Sequence, residues 1–135
     1  MVLGIDPGTR KAGYAVVDET GRVVEQGIEE LQPLLGRLQK LASERPIAAI
    51  ALGHGTNAEP LRGILCELGL PVRIVNEHET TLQARKLYFA DHPPRGWRRL
   101  IPLGMQLPPR PIDDYAAILI ARRFLTNEGS IEPPS

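Results

Sequence analysis

Residues 1–18 read MVLGIDPGTRKAGYAVVD and contain two strand patterns separated by a turn. An apolar strand ends on Asp6, and a Pro-Gly turn follows in which glycine permits a sharp change of direction. A carboxylate is thereby placed at the end of a strand, close to the cations Arg10 and Lys11. Such an acid can hold a divalent metal or face a phosphate, and the rest of the chain has to decide between the two.

The composition is that of one small globular domain. The chain has 135 residues, of which 42% are hydrophobic and 4% aromatic, so we expect a single domain over residues 1–127 with an aliphatic core. Residues 128–135 are interpreted as a disordered tail. The formal net charge is zero, so any attraction to nucleic acid must come from a local patch.

The cysteine and hydropathy patterns indicate a reducing, aqueous compartment. Cys66 is the only cysteine, which excludes an intramolecular disulfide and a cysteine-based zinc cluster. No signal-peptide pattern opens the sequence, and no apolar run approaches the ~20 residues that a membrane span needs. We therefore expect a cytoplasmic protein without a membrane partner.

Strand and helix patterns follow one another along the chain. Strands are expected at about 2–6, 13–18, 22–28, 47–53 and 71–75, and helices at about 31–43, 57–68, 79–88 and 112–125. The second and third strands should form an antiparallel hairpin, and the continuously apolar fourth strand should be parallel to its neighbours. The order βββαβαβα, closed by the last helix, predicts an α/β fold, a mixed five-stranded sheet with helices packed on it.

Residues 92–111 contain six prolines and two glycines without periodicity, so we interpret them as a long, mobile basic loop. The candidate nucleic-acid-binding residues in it are Arg95, Trp97, Arg98, Arg99 and Arg110. Guanidinium groups can clamp phosphates, and the tryptophan can stack on an unpaired base for ~1–3 kcal/mol. The alternative is that the tryptophan and its apolar neighbours pack back onto the domain or form a partner surface.

Three acids are expected to meet at one end of the sheet. Asp6 ends the first strand and Glu77 follows the last, and sites in α/β sheets gather at the carboxyl ends of strands. At ~100° per residue, Asp113 falls on the sheet-facing side of the last helix and Asp114 about a quarter turn away, while Tyr115 falls on a polar stripe. Helix capping is the alternative role for both aspartates.

Acids crowded in this way favour a bound cation, because otherwise at least one of them would take up a proton. Oxygen-only ligands select hard ions, so Mg²⁺ or Mn²⁺ is expected. Two such ions ~3.5–4 Å apart can activate a water and stabilise the leaving oxygen of a phosphodiester. The predicted metal ligands and catalytic residues are Asp6, Glu77 and Asp113, with Asp114 as a further candidate ligand, and the predicted substrate contacts near them are Thr9, Arg10, Lys11 and His78.

Three segments carry a resemblance to a known family. The sequence resembles the YqgF (RuvX) branch of the RuvC-like nucleases in three places. These are LGIDPGTR at 3–10 with GYAVVD at 13–18, Glu77 with Thr80 and Thr81 after it, and DDYAA at 113–117. The match spans almost the whole chain in the right order. It implies an RNase H-like fold and a divalent-metal endonuclease that resolves four-way (Holliday) DNA junctions or matures the 16S rRNA precursor. Symmetric junction cleavage would require a homodimer.

Two departures from the family pattern leave a second hypothesis open. Residues 76–78 read Asn-Glu-His where YqgF proteins usually have Asp-Glu-Arg, and Arg110 stands where RuvC carries a further acid. Residues 53–57, GHGTN, also resemble a glycine-threonine loop of the YqgF-like domain of Tex proteins. A nucleic-acid-binding module without catalysis is therefore the alternative function. Backbone hydrolysis needs no base readout, so the choice between RNA and DNA stays open.

Overall fold

The computed structural model describes residues 1–54, 58–75, 80–93 and 112–127. The strands are β1 (Val2–Asp6), β2 (Lys11–Val17), β3 (Val23–Glu30), β4 (Ala49–Gly53) and β5 (Val72–Val75). The helices are α1 (Leu31–Glu44), α2 (Ala58–Leu65), α3 (Thr80–Asp91) and α4 (Asp113–Asn127), and a 3₁₀ turn (Cys66–Leu68) extends α2. In these regions no helix is long and apolar enough to cross a membrane.

The five strands form one mixed sheet in the order β3-β2-β1-β4-β5. β1, β2 and β3 are antiparallel neighbours, whereas β4 and β5 run parallel to β1. The predicted mixed α/β sheet, its hairpin and its parallel fourth strand are therefore confirmed. β2 begins at Lys11, two residues before the predicted start, because Lys11 and Ala12 continue the ladder opposite Glu30 and Glu29 of β3.

Alternation along the strands divides the core between the two faces of the sheet. On β1, Leu3 and Ile5 are fully buried in a cluster that includes Leu38 of α1 and Leu65 of α2. The intervening residues of β1 face α4 instead, where Val2 packs in a second cluster with residues of that helix. The aliphatic core predicted from the composition lies mainly on the α1 and α2 side.

Helix α4 lies directly on the backbone of the two central strands because glycines leave room for it. A methyl group added at Gly4 would overlap the carbonyl oxygen of Ala117 and lie 2.8 Å from the Ala121 Cβ. A methyl group added at Gly13 would overlap the backbone of Asp113. These two contacts fix the distance between α4 and the sheet, and the second one locates the helix N-terminus above β2.

Tyr115 of α4 is buried, although its helical phase placed it on a polar stripe with Arg122, which is half-buried, and Thr126, which is exposed. Tyr115 is 3% exposed, its ring lies edge-on to Tyr88 of α3 at 5.6 Å, and its hydroxyl donates a hydrogen bond to the Asp91 Oδ2 at 3.0 Å. The difference arises because α3 packs against the side of α4 that carries Tyr115. A phenol suits such a place because its ring is apolar and its hydroxyl finds a partner.

Candidate active site

Asp6 and Asp113 are neighbours at the carboxyl end of β1. Asp6 pairs with Gly13 across the antiparallel ladder, where paired Cα atoms lie ~4.5–5.5 Å apart. Asp113 rests on that same Gly13 from above. Strand alternation places Asp6 on the same face of the sheet as Gly4, which is the face that α4 covers. Two acidic residues distant in sequence therefore adjoin the same glycine, which has no side chain.

The carboxyl group of Asp113 is half-buried, and its surroundings disfavour a negative charge. Burial raises the pKa of Asp113, the adjacent charge of Asp114 raises it further, and the Lys11 ammonium lowers it. Burial is the largest of these influences. A cation held beside Asp113 would favour its ionised form, which is the electrostatic condition that a metal ligand requires.

An open cavity of about 480 Å³ lies beside Asp113. Its other lining residues are Gly8, Thr9, Arg10, Lys11 and Glu30. The predicted substrate contacts Thr9, Arg10 and Lys11 are thus exposed around one cavity, which Asp113 of α4 also lines. The Leu31 amide donates a 3.1 Å hydrogen bond to the Arg10 carbonyl, which ties this connection to the start of α1.

Asp114 occupies a different environment from Asp113. Asp114 is 4% exposed, and its Oδ2 accepts a 2.8 Å hydrogen bond from the Gln26 Nε2 of β3. The sequence predictions included Asp114 as a further candidate metal ligand and did not single out Gln26. The sequence signal for Gln26 was a polar residue at a helix-facing position of a strand. Such a residue is expected to find a hydrogen-bond partner, because a buried polar group needs one.

The donor set suits a hard divalent ion. Asp6 and Asp113 offer only carboxylate oxygens, the ligands that Mg²⁺ and Mn²⁺ prefer, and Gly13 puts no side chain between them. Among the residues the structure describes, no three His, Cys, Asp or Glu side chains form a metal-binding group. The predicted third ligand, Glu77, comes two residues after the end of β5 and lies outside the described residues.

The remaining predicted contacts lie outside the described residues. They are His78, Arg95, Trp97, Arg98, Arg99 and Arg110. The start of the predicted loop is described, and there His92 follows α3 with its ring stacked on Tyr88 at 4.6 Å. Helix α3 extends to Asp91, three residues beyond its predicted end.

Comparison with known proteins gives relatives along almost the whole chain, although no family model matches it. A protein of Pelotomaculum thermopropionicum named "Putative pre-16S rRNA nuclease" is 30% identical over 146 residues, covering 95% of this chain and 88% of that protein. A protein of the same name from Bacillus subtilis is 29% identical, with 92% and 96% covered. The "Crossover junction endodeoxyribonuclease RuvC" of Rhodopirellula baltica is 26% identical, with 93% and 87% covered.

Solved structures give the fold independently. The RuvC structure of Thermus thermophilus matches with a TM-score of 0.55 at 18% identity, covering 96% of this chain and 98% of that one. RuvC of T. thermophilus in complex with a Holliday junction substrate matches with a TM-score of 0.52 at 19% identity, covering 95% and 92%. The chain therefore has the RNase H-like fold of RuvC. It belongs to the YqgF family, whose members include the pre-16S rRNA nuclease relatives above.

Proposed function

We propose that this protein is a metal-dependent endonuclease that hydrolyses structured RNA, with the precursor of 16S rRNA as its substrate. The observation that carries the proposal is that Asp6 and Asp113 both adjoin Gly13 at the carboxyl end of β1. Five curated relatives whose names state a pre-16S rRNA nuclease support the choice of RNA.

In this proposal Asp6, Glu77 and Asp113 hold the ions, which are Mg²⁺ or Mn²⁺ and number two. Bound ions of this kind activate a water and stabilise the leaving oxygen of a phosphodiester. The half-buried Asp113 carboxylate contributes because an anion in a poorly solvated place binds a cation strongly. Asp6 holds its position because it ends a central strand paired on both sides.

Thr9 and Arg10 of the β1–β2 connection and Lys11 at the start of β2 are proposed to bind the scissile strand. Arg10 and Lys11 are exposed around the cavity that Asp113 lines, and the Thr9 hydroxyl lies beside them. Two cations and a hydroxyl suit phosphate oxygens, and contacts to phosphate position a strand without reading its bases. The arginines of residues 92–111, His78 and Trp97 are proposed to extend this surface.

Branched DNA is the second candidate substrate. The 26% identity to a crossover junction endodeoxyribonuclease over 161 residues favours it, because that similarity also spans almost the whole chain. Symmetric cleavage of a four-way junction would require a homodimer, which stays a prediction. A panel of structured RNA, four-way junction, duplex and single-stranded DNA decides between the two substrates by which one is cut fastest.

The test of catalysis is Asp6→Asn, assayed on this panel with Mg²⁺, Mn²⁺ or EDTA. Cleavage should fall by roughly 100-fold or more, because a lost ligand removes several kcal/mol of transition-state stabilisation. Asp113→Asn should act likewise and Asp114→Asn less. Asp18→Asn is the matched control, since Asp18 ends the β2 side of the hairpin turn and its Oδ1 acceptor survives as an amide oxygen.

Thermal unfolding of each variant separates loss of chemistry from loss of fold. Undiminished cleavage by Asp6→Asn would contradict the proposed nuclease site. Binding of RNA or DNA that persists in EDTA, together with no cleavage of any substrate by the wild type, would instead support the binding module without catalysis.

A further inference from the structure

The first turn of α4 makes three contacts with its surroundings. Gly13 supports it from β2 beneath. The Gln26 Nε2 donates a 2.8 Å hydrogen bond to the Asp114 Oδ2, and the Tyr115 hydroxyl donates one to Asp91 of α3. The residue that this turn presents at the carboxyl end of β1 is Asp113, the proposed metal ligand.

We infer that Gln26 is a positioning residue of the active site, which acts through Asp114 to hold the Asp113 carboxylate toward Asp6. The inference rests on the proposed function for what Asp113 does there. It assigns separate tasks to two adjacent acids. Asp113 serves the metal, and the buried Asp114 is the acceptor that fixes the helix.

The register of the sheet explains why the contact comes from β3. Gln26 pairs with Ala15 of β2, so both residues lie on the face that α4 covers. Ala15 is fully buried and ends at its Cβ, which leaves room above β2 for the longer glutamine side chain. A side chain from the edge strand can thus reach the first turn of a helix that lies over the central strands.

The hydrogen bond supplies a constraint that packing alone does not. Gly13 contacts the backbone of α4, and this contact sets the height of the helix above the sheet. Rotation about the helix axis changes which carboxylate points at Asp6, because adjacent residues are ~100° apart. A directional bond from Gln26 to Asp114 opposes that rotation. Since Asp114 is 4% exposed, losing the bond would also leave a buried acid without this donor.

The position of Gln26 separates this role from substrate binding. Gln26 lines a second cavity, of about 760 Å³, together with Tyr115 of α4 and Asp91 of α3. The cavity beside Asp113 is lined by residues of the β1–β2 connection and by Glu30. Changes at Gln26 should therefore act on metal affinity and kcat and leave KM for the nucleic acid unaltered.

The experiment compares Gln26→Leu, Asp114→Leu, Asp114→Asn and the double leucine variant with wild type. Mn²⁺ affinity is measured by calorimetry and stability by urea unfolding. The kinetic constants kcat and KM are measured on the preferred substrate. Gln26→Leu should lower Mn²⁺ affinity or kcat roughly 10–100-fold, the usual effect of losing a group that orients a metal ligand. Asp114→Asn keeps an oxygen acceptor for Gln26 and should retain most of the activity that Asp114→Leu loses.

The double variant Gln26→Leu with Asp114→Leu distinguishes positioning from stability. Removing both polar partners leaves neither member of this hydrogen bond unpaired, so unfolding stability should recover relative to Gln26→Leu, which leaves the Asp114 acceptor without this donor. Mn²⁺ affinity and kcat should stay low, because the bond between Gln26 and Asp114 is still absent and only the Tyr115 contact with Asp91 remains. The inference would be overturned if Mn²⁺ affinity and kcat of the double variant recovered together with its stability. Wild-type Mn²⁺ affinity and kcat in Gln26→Leu would overturn it as well.

Arg122→Leu is the matched control. The Arg122 Nε donates a 2.8 Å hydrogen bond to the Gly21 carbonyl and so joins α4 to the β hairpin far from Asp113. This variant should lose stability and keep kcat per folded molecule. Wild-type protein that binds Mn²⁺ and cuts no substrate would contradict the proposed nuclease, whereas the Mn²⁺ affinities of the variants would still test the role of Gln26.

Discussion

The two faces of the sheet are built from the same strands in opposite ways. Toward α1 and α2 the strands present large side chains such as Leu3 and Ile5, which are fully buried. Toward α4 they present Gly4 and Gly13, and the one acid of β1, Asp6, lies at the end of this second face. The first face is held by large apolar side chains. The second also buries smaller ones such as Val2 and Val17, and at its two glycines backbone approaches backbone closely.

The two faces therefore contribute differently to stability and to the geometry of the site. Burying a large aliphatic side chain contributes ~1.5–3 kcal/mol, and the α1 and α2 face contains many of them. Glycines contribute little burial, yet they set the distance between α4 and the strands to within the size of a methyl group. We therefore expect changes on the first face to alter stability and changes on the second to alter metal binding and activity.

The largest expected loss of stability tests the first half of this comparison. Leu38 of α1 is fully buried in the core cluster with Leu3 and Ile5. Leu38→Ala should cost ~2–5 kcal/mol in the free energy of unfolding, through lost burial and the cavity left behind. Urea unfolding measures the loss, and kcat per folded molecule should match wild type at a temperature where the variant stays folded. A selective fall in kcat would show that the two faces are not separable.

Gly13→Ala tests the expectation that changes on the α4 face alter metal binding and activity. It should have an intermediate effect on stability. The added methyl group would overlap the backbone of Asp113, so α4 must move away from β2. Such overpacking costs ~1–3 kcal/mol. Because the displaced helix carries Asp113 away from Asp6, Mn²⁺ affinity measured by calorimetry should fall, and cleavage with it.

The matched control for Gly13→Ala is Gly36→Ala on the opposite side of the molecule. Gly36 lies inside α1, and a methyl group added there meets nothing within 4 Å. The change should stabilise the protein by ~1 kcal/mol through helix propensity and leave cleavage unaltered. Equal Mn²⁺ affinity in Gly13→Ala and wild type would show that the position of α4 on β2 does not control metal binding.

Local pattern was sufficient to predict the fold but only part of the candidate site. Alternation, apolar runs and turn residues reflect short-range preferences, and they gave the strands, the hairpin and the parallel β4. Helical phase placed Asp113 on the sheet side of α4, where the structure has it above Gly13. The same phase put Tyr115 on a polar stripe, and this was wrong because a single helix does not reveal that α3 packs beside it.

Contacts between distant residues are what the sequence could not supply. Gln26 and Asp114 are 88 positions apart, and their hydrogen bond exists only because β3 and α4 lie on the same face of the sheet. Before Gln26 is known to be its hydrogen-bond partner, Asp114 can be interpreted either as a metal ligand or as a structural acid. The importance of Gly13 likewise depends on where the N-terminus of α4 lies, which no residue near Gly13 specifies.

Lys11→Gln should have the smallest effect, and it tests the proposed substrate contacts at the edge of the α4 face. Lys11 is exposed in the cavity beside Asp113, so its loss should leave unfolding stability almost unchanged. If it contacts a phosphate, the slope of log affinity against log salt should fall by roughly 0.7–0.9, equally for all sequences. Lys40→Gln is the control, because Lys40 lies on α1 beside Glu44. Identical slopes for the two variants, measured by titration with substrate in Ca²⁺ or EDTA, would place the nucleic acid away from the β1–β2 connection and leave Asp113 without the substrate path proposed for it.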